Sequence, residues 1–523
     1  MSPGSQSSQL TRLTEIGELS VKVRLAVKKT LFPLTGLLVA ESGYLFIFGK
    51  PGAAAFAMMA AGSCIALGIW CTGAIGLPLL PMMVIQSLII YGVPVIVGHE
   101  NIQMYPPSFV LNAGEEVLIF NLAMILSWRA GMQVFHPSPP ICYAVQEFNR
   151  SGVKGWSRLG FGMVAATTAF LMLQSLGLAD PIVSLLPSGF SSILVALISV
   201  VSASGFFLIS MMIGGGEASA VGKFLFWLLL IVNGLMSASE LLLYSAAANL
   251  ITVAIGIFWG RGRVPWRYLL GSVLVLSFLN TGKTTMRERH WRPDQDEQIS
   301  TTSLRNMPSL FSEWTEVSYD AILENRTAQD ANSREDHGRG DNSTANKNQT
   351  LLDRIDNLQN LLYVIDAVEA GHVPPLHGAT YALIPPLLVP RILAPNKPRS
   401  HEGQVMLNVH FGRQNLSATF DTYIAWGLLP EAYGNFGAVA GSIFLGLVFG
   451  IFFSWVENLT ARKLVVSTEG FLSLSLLMGL MNSFEMVASV LVTSIYQSFI
   501  IIAVASMPFV RRTVIRRPTP TDA

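Results

Sequence analysis

The part of the sequence with the clearest chemical potential is a basic, proline-rich segment between residues 381 and 413. It begins YALIPPLLVPRILAPNKPRSHEG, and its basic side chains are Arg391, Lys397, Arg399, His401, His410 and Arg413. Prolines fix the backbone angle φ and stiffen the chain that carries these side chains. Arg binds phosphate oxygens through paired hydrogen bonds, and Lys binds them as a point charge. The segment therefore predicts either a phosphate or pyrophosphate site or a basic strip that binds anionic lipid headgroups.

A glutamate follows in the stretch LLPEAYGNFG, where Glu431 stands between a proline and Tyr433 at the start of an apolar block. Partial removal of a carboxyl group from water raises its pKa, so that it can act as a general base near neutral pH. Acidic residues also stabilise the N-termini of helices, which gives Glu431 a structural alternative at the start of a helix near Asn435. The sequence leaves both roles open.

The common signatures of other enzyme classes are absent from the sequence. It contains no GK[ST] phosphate loop, no HExxH motif and no G-x-S-x-G motif, so ATP-driven, zinc-hydrolase and serine-hydrolase chemistry are not expected. Cys64, Cys71 and Cys142 have neither metal-ligand nor redox spacing, and we interpret them as small apolar residues. We expect no metal and no cofactor. The net charge of +1 gives no indication of a nucleic-acid partner.

The elements that must position these residues are membrane helices. Hydrophobic residues make up 51% of the chain and charged residues 13%, whereas soluble domains contain about 25% charged residues. The apolar residues form long blocks rather than amphipathic patterns. Blocks of this kind predict transmembrane helices, and the chain is therefore expected to be an all-α polytopic membrane protein.

About twelve spans are predicted from blocks of sufficient length. They lie at 31–48, 53–70, 74–97, 112–130, 159–178, 189–213, 221–238, 241–260, 266–281, 435–456, 469–487 and 490–509. With this count, the Lys and Arg clusters near 22–29, 150–158, 261–267, 462–463 and 511–517 fall on one side of the membrane. The positive-inside rule makes that side the cytoplasm, so both termini are expected there.

The predicted spans divide the chain into three regions. Residues 1–281 form an N-terminal membrane region of about nine spans, and residues 435–523 form a C-terminal region of about three. Between them, residues 282–434 form one large extracytoplasmic loop. Within it, 325–350 is polar and expected to be disordered, and 351–369 has the apolar spacing of an amphipathic helix. Residues 381–394 are too short and too rich in proline to span, which indicates a re-entrant or interfacial segment.

Two motifs of the outer loop resemble those of the O-antigen and exopolysaccharide polymerase (Wzy-type) superfamily. The first is HGATYALIPPLLVPRILAPNKP, whose matching positions are Gly378, Tyr381, Pro390, Arg391, Pro395, Lys397 and Pro398. The second is GLLPEAYGNFG, with Glu431, Tyr433, Asn435, Phe436 and Gly437. The PPLLVPR step is longer than the family's compact IPR. The resemblance covers about 60 residues, and the other spans agree only in number and layout.

The resemblance implies a GT-C-like, metal-independent glycosyltransferase of the bacterial inner membrane. Such an enzyme joins oligosaccharide repeat units carried on undecaprenyl pyrophosphate at the periplasmic face. Charge developing on the departing pyrophosphate would be met by Arg391, Lys397, Arg399 and Arg413, with Arg287 and Arg289 as further candidates. Glu431 is the first candidate for the base that accepts the sugar hydroxyl proton, and His401 or His410 is the second. Tyr381, Tyr423, Trp426 and Tyr433 are candidates for sugar contacts, together with Asn435. Membrane lipids and a chain-length regulator are the expected partners.

Two other functions remain open at this stage. An O-antigen ligase-type transferase would use the same donor and the same external basic residues, with a different acceptor. A flippase or other transporter of lipid-linked sugars would instead need charged residues deep within its spans and short outer loops. The sequence has few deep charges and one large outer loop, which favours a transferase.

Overall fold

The computed structural model describes residues 15–50, 52–144, 146–179, 190–241, 243–290, 306–332, 355–389, 393–394, 396–421, 424–481, 483–507 and 510–514. Its secondary structure is almost entirely helical. The helices are α1 (Ile16–Ile47), α2 (Ala53–Gly73), α3 (Leu79–Ser87), α4 (Val93–Val97), α5 (Glu100–Gln103), α6 (Pro107–Val134), α7 (Gln146–Ser175), α8 (Phe190–Gly215), α9 (Ala220–Ala238), α10 (Leu243–Arg261), α11 (Trp266–His290), α12 (Met307–Asn332), α13 (Leu358–Glu369), α14 (Ile384–Leu388), α15 (Glu402–His410), α16 (Ala418–Asp421), α17 (Leu428–Phe436), α18 (Ala440–Thr460), α19 (Thr468–Met481) and α20 (Ala488–Ser506). A π-helical turn, Leu88–Gly92, joins α3 to α4, and two 3₁₀ turns lie at Tyr381–Leu383 and Ser483–Glu485. Strands β1 (Ile141–Ala144) and β2 (Arg511–Val514) pair antiparallel, with Ile141 opposite Val514.

Within the described residues, ten helices are long and apolar enough to cross a membrane. They are Ile16–Ile47, Ala53–Gly73, Leu79–Val97, Pro107–Val134, Gly155–Ser175, Ala196–Gly215, Ala220–Ala238, Leu243–Arg261, Ala440–Thr460 and Ala488–Ser506. The prediction of an all-α polytopic membrane protein is confirmed at this level. Two predicted spans are not among the ten. The 266–281 block lies on α11, a helix with a basic C-terminal turn. The 469–487 block is divided between α19, which has 14 residues, and the 3₁₀ turn Ser483–Glu485.

The chain forms two compact units. Unit 1 comprises Met1–Arg150 and Ile355–Ala523, and unit 2 comprises Ser151–Arg354. These boundaries differ from the predicted divisions after residues 281 and 434. The difference arises because α13 and the elements that follow it pack on the membrane helices of unit 1 rather than forming a separate loop domain.

Helices α6 and α18 form the central pair of unit 1 and pack through small residues. A Cβ atom added at Gly446 would lie 2.7 Å from the carbonyl oxygen of Phe120, and one at Gly450 would overlap the carbonyl of Met124 and the hydroxyl of Ser127. Gly446 and Gly450 have the four-residue spacing that lets membrane helices approach closely. The hydrophobic effect does not drive helices together in lipid, so such close contact is a main source of their association.

The polar ends of unit 1 are made by different parts of the chain. At one end, which we call the Lys463 end, the N–H of Ile16 donates to the carbonyl of Lys463 at 2.9 Å, and β1 pairs with β2. The ammonium of Lys463 donates to the carbonyls of Pro139 and Ile141. The other end, called the Glu431 end, contains α13 to α17 and the N-termini of α6, α18 and α20. Helix α18 connects the two ends over 21 residues, or about 30 Å.

The start of α13 is hydrogen-bonded to a membrane helix at a carbonyl that a proline leaves free. Pro94 has no N–H and cannot bond the carbonyl of Ile90 one turn earlier. That carbonyl accepts the N–H of Asn357 at 3.2 Å instead. Asp356, the preceding residue, is buried and accepts from the N–H of Gln359 at 3.1 Å within the first turn of α13. The start of α13 is therefore fixed to the π-helical turn.

Parts of the predicted outer loop are helical. Helix α13 covers the C-terminal part of the predicted amphipathic helix 351–369, and it buries Leu358, Leu361, Leu362, Val364 and Ile365. In the segment predicted to be disordered, 325–332 belongs to α12, while 333–350 lies outside the described residues.

Unit 2 has its own helical core. A cluster of Val164, Phe206, Ile209, Phe226, Leu230, Val253 and Ile257 joins α7 to α10. A second cluster includes Trp314 of α12 and Met286 of α11. On the surface, Glu313 accepts hydrogen bonds from Arg289 and His290. These partners hold the pKa of Glu313 below its ordinary value. Arg289, a secondary candidate for phosphate binding, is thus paired with a carboxylate.

Candidate functional site

The centre of the candidate site is Glu431 on α17, whose side chain is fully buried. The hydroxyl of Thr380 donates to Oε1 of Glu431 at 2.7 Å, and the N–H of Ala488 donates to Oε2 at 2.5 Å. Burial disfavours the charged carboxylate and raises its pKa to about 7, although both hydrogen bonds act in the opposite direction. Glu431 can therefore hold or release a proton near neutral pH.

Asn435 orients the hydroxyl of Thr380. Its Nδ2 donates to Thr380 Oγ1 at 2.9 Å and to the carbonyl of Glu431 at 2.8 Å. Since Thr380 Oγ1 accepts from Asn435, its own proton is directed toward Glu431. The chain Asn435, Thr380, Glu431 is formed by α17 and the residue before the 3₁₀ turn at Tyr381–Leu383.

Glu431 also has a structural role. Ala488 is the first residue of α20, where backbone N–H groups have no partner within the helix. Glu431 supplies the missing acceptor from another part of the chain. Glu116 does the same for α18, accepting from the N–H of Val439 at 2.7 Å and from the hydroxyl of Ser442. Glu431 also lies in the first turn of α17, so it is placed at the start of its own helix and binds the start of α20.

Tyr381 lies beside this network. Its ring stacks on Phe436 at 5.7 Å and meets the edge of Phe444 at 5.2 Å. Its hydroxyl is buried and has no hydrogen-bond partner among the residues that the structure describes. Burial, together with the nearby charge of Glu431, raises the pKa of Tyr381 well above 10. The hydroxyl of Tyr381 is therefore neutral and can donate a hydrogen bond to a ligand.

A strained turn follows α17. Val439 has a φ of +61°, and the N–H of Ala440 donates to the carbonyl of Ala438 at 2.6 Å. This three-residue pattern around a residue with positive φ is a classic γ-turn, which is rare and strained. A β-branched residue is especially disfavoured there. The carboxylate of Glu116 holds the turn in place through the N–H of Val439.

Arg413 forms the second centre of the Glu431 end. Its guanidinium lies 4.7 Å from the ring centroid of Tyr363 and 5.4 Å from that of Trp426. Its Nη1 donates to Oδ1 of Asn360 at 2.8 Å. No carboxylate forms an ion pair with Arg413 within the described part of the chain. Burial lowers the pKa of Arg413 from its ordinary value, which is the expected effect where no anion compensates the charge.

Neutral groups fix the aromatic partners of Arg413. The indole of Trp426 donates to Oδ1 of Asn408 at 2.6 Å, and the hydroxyl of Tyr363 donates to the carbonyl of Phe411 at 2.5 Å. Helix α15, which carries Asn408, also reaches the Glu431 network, because a Cβ at Gly403 would lie 3.7 Å from Thr380. The two centres are therefore parts of one packed assembly.

The other basic candidates have protein partners. The ammonium of Lys397 donates to the carbonyls of Leu387 and Val389 at 2.8 and 2.7 Å. Arg399 pairs with Glu402 at 3.3 Å. A ring nitrogen of His410 lies 2.8 Å from the carbonyl of Pro374, and one of His401 lies 3.4 Å from Oε1 of Gln404. Arg391, Pro390, Pro395 and Tyr423 lie outside the described residues.

Tyr433 points away from Glu431 although both are on α17. Its hydroxyl donates to Glu369 at 2.9 Å, and Asn112 donates to both oxygens of the same carboxylate at 3.0 and 2.9 Å. Burial and the carboxylate raise the pKa of Tyr433 above its ordinary value. Tyr433 thus joins α17 to α13 and α6.

Sequence reasoning did not identify Thr380, Asn360, Tyr363 or Glu369 as members of the site. Thr380 directly precedes Tyr381 in GATY, and the other three lie on the predicted amphipathic helix, where polar positions are expected to face solvent. No spacing rule distinguishes a solvated polar residue from one that bonds a distant helix.

In comparisons with known proteins, no family model, curated protein or solved structure matches this chain. In the part of the chain that is described, no group of three or more His, Cys, Asp or Glu residues could hold a metal ion.

Proposed function

We propose that the protein is a membrane glycosyltransferase that joins undecaprenyl-pyrophosphate-linked oligosaccharide repeat units, as in O-antigen or exopolysaccharide synthesis. The two outer-loop motifs that resemble Wzy-type polymerases are the starting point. The observation that carries the proposal is the presence, in one assembly, of two groups: the guanidinium of Arg413, which has no carboxylate partner among the described residues, and the buried carboxyl group of Glu431, with a pKa of about 7. Transfer from a lipid pyrophosphate needs both functions: positive charge for the departing group and a proton acceptor for the attacking hydroxyl.

Arg413 is the described residue best suited to meet the pyrophosphate. Two aromatic faces stabilise its charge but leave its hydrogen-bonding capacity largely free, since one bond to Asn360 uses one of five N–H groups. Lys397 and Arg399 have protein partners and are proposed as supporting charges. Arg391 remains a proposed contributor on the strength of the sequence motif.

Glu431 is proposed as the general base and Tyr381 as a hydrogen-bond donor to the sugar or phosphate. Thr380 and Asn435 orient the carboxylate. His401 and His410 are the reserve candidates for the base. Activity is then expected to rise with pH as Glu431 loses its proton through a pKa of about 7.

We further propose that the chain crosses the membrane twelve times in a GT-C-like arrangement. Residue 144 lies at the Lys463 end and residue 357 at the Glu431 end of unit 1. If the two ends lie on opposite sides of the membrane, an odd number of crossings joins them. Unit 2 contains four of the ten candidate spans, so α11 is proposed as the fifth. Likewise, α19 starts near the Lys463 end and is followed by Ala488 at Glu431, which supports a crossing there. The proposed location is the bacterial inner membrane, with the Glu431 end outside.

The test is glycan synthesis by membranes that contain the protein and its lipid-linked repeat units. Arg413→Ala and Glu431→Gln are expected to abolish long chains and to leave single lipid-linked units accumulating on the outer side. Arg391→Ala should do the same, and Arg462→Ala, an exposed arginine at the opposite end, is the control. Unchanged chain length in the Arg413 and Glu431 variants would contradict the proposal.

Two other outcomes would favour the rival functions. Long chains that persist on the lipid carrier without transfer to a final acceptor would indicate a ligase. Repeat units that remain on the inner side would indicate a transporter. Glu431→Asp retains a carboxyl group and should keep part of the activity, with an altered pH profile, if Glu431 acts on a proton.

A further inference from the structure

The proline-rich segment around α14 exposes apolar side chains at the surface of unit 1. Leu387 is 2% exposed and packs inward, whereas Val389 is 39% and Leu393 76% exposed. Pro385 and Pro386 are also exposed. An aliphatic side chain as open as Leu393 is unfavourable in water, because about 25 cal/mol is lost for each Å² of apolar surface left in contact with it. We call α14 with Val389, Leu393 and Lys397 the α14 finger.

Lys397 is hydrogen-bonded to the C-terminal end of α14. Its ammonium donates to the carbonyls of Leu387 and Val389, at 2.8 and 2.7 Å. These carbonyls lie at the C-terminal end of α14, where cations are favoured. These bonds link Lys397 to α14, and Leu393, which precedes Lys397 by four residues, is exposed.

The α14 finger lies beside a membrane span. Helix α14 packs against α20, one of the ten candidate spans. The hydroxyl of Ser489, in the first turn of α20, donates to the carbonyl of Ser400 at 3.1 Å. The α14 finger therefore lies where α20 reaches the Glu431 end.

The composition of the α14 finger suits a shallow position in lipid. Backbone N–H groups without a partner are costly in a bilayer, and the first turn of a helix normally exposes several. Pro385 and Pro386 occupy that turn and have no N–H. Lys397 and Arg399 follow the exposed leucine, and cations with long side chains favour the headgroup level.

We propose that the α14 finger is a membrane anchor, with Val389 and Leu393 inserted into the acyl-chain boundary of the outer leaflet and Lys397 and Arg399 at the headgroups. The partner is the lipid bilayer itself. The interaction decides between the two alternatives left by the sequence: the segment is interfacial and does not enter deeply as a re-entrant loop. It does not depend on the proposed enzymatic function.

The test uses a fluorescent label at single cysteines. Cys64, Cys71 and Cys142 are replaced by Ala, and Leu393→Cys carries the environment-sensitive label NBD. The protein is reconstituted in vesicles of phosphatidylcholine and phosphatidylglycerol, in which part of the phosphatidylcholine carries a nitroxide on a shallow acyl carbon. His372→Cys is the matched control, because His372 is an exposed polar residue of the same end of unit 1. Val389→Cys is a second reporter.

The labels at 393 and 389 should be quenched several-fold more by the nitroxide lipid than the label at 372, and they should be less accessible to iodide in water. Equal quenching at 393 and 372 would overturn the proposal. Protection from iodide without quenching by the lipid would also overturn it, since a second copy of the chain or another protein would then cover the α14 finger. Quenching at 393 that is stronger from nitroxides near the bilayer centre would indicate a re-entrant loop instead.

Discussion

Buried carboxylates of unit 1 are bound mainly by N–H and O–H groups rather than by cations. Glu116 and Glu431 each accept a backbone N–H from the start of another helix, and Glu457 accepts from the N–H of Ile75 and the indoles of Trp70 and Trp128. Helix N-termini attract negative charge, so these acids join helices that are distant in sequence. Glu431 differs from the others in lying beside the hydroxyl of Tyr381, which has no hydrogen-bond partner in the described part of the chain.

The pH dependence of stability should reveal the protonation of Glu431. Its pKa in the folded protein is about 7, above the value of 4.5 for an exposed glutamate. The folded protein therefore binds this proton more tightly than the unfolded chain does. The resulting stabilisation is fully present below pH 4.5 and is lost as the pH rises through about 7. The change is roughly 3 kcal/mol.

Melting temperatures of the wild type and of Glu431→Gln, measured in detergent from pH 4 to 8, test this expectation. The glutamine does not titrate, so the advantage of the wild type over the variant should shrink as the pH rises. The matched control is Glu402→Gln, which alters a partly exposed carboxylate that is paired with Arg399, measured over the same pH range. A constant difference for Glu431→Gln would show that Glu431 does not change its protonation there.

Contacts between helices depend on small residues, whose role in close packing a hydropathy plot does not show. Gly446 and Gly450 of α18 lie against α6, and Gly114 of α6 lies against Ala55 of α2. The γ-turn at Val439 sets where α18 begins, directly after the helix that carries Glu431. Its strain is tolerated because Glu116 binds the N–H of Val439.

Gly450→Val is expected to destabilise the protein strongly. The new side chain would overlap the carbonyl of Met124 and the hydroxyl of Ser127, so α6 and α18 must separate, at a cost of about 1–3 kcal/mol or more. Gly36→Val on α1 is the matched control, because nothing lies within 4 Å of its added Cβ. A melting temperature lowered equally by both substitutions would indicate a loss of helix propensity rather than of packing.

At the scale of the whole molecule, the two ends of unit 1 should be accessible from opposite sides of the membrane. Contacts at the Lys463 end bring together residues 16, 141 and 511 with the loop after α18. The Glu431 end contains α13 to α17. The twelve crossings proposed above would place the two ends on opposite sides.

Single cysteines at exposed positions test that topology in intact cells. A membrane-impermeant maleimide should label Asn415→Cys and His372→Cys, and it should label Arg462→Cys and Arg511→Cys only after the membrane is permeabilised. The native cysteines are replaced by Ala in every variant. Labelling of both ends from the outside would contradict the topology and with it the proposed location of the site.

The membrane class, most of the candidate spans and several residues of the candidate site could be predicted from the amino-acid sequence. Apolar blocks long enough to cross a bilayer have few alternative structures, because every backbone polar group in lipid must be bonded internally. Motifs local in sequence, such as YALIPP and LLPEAYGNFG, likewise identified Tyr381, Glu431 and Asn435 as neighbours of the site.

The pairing of polar groups could not be predicted from the sequence, because it depends on how distant helices pack. The carboxylate of Glu431 bonds Ala488, 57 residues away, and Thr380, 51 residues away. Tyr433, two residues from Glu431, bonds Glu369 instead. Arg413 differs from the other basic candidates in that its guanidinium lies over the rings of Tyr363 and Trp426, which are distant from each other in sequence. Such partners are set by helix packing, and helix packing depends on side-chain shape and backbone approach that no local pattern encodes.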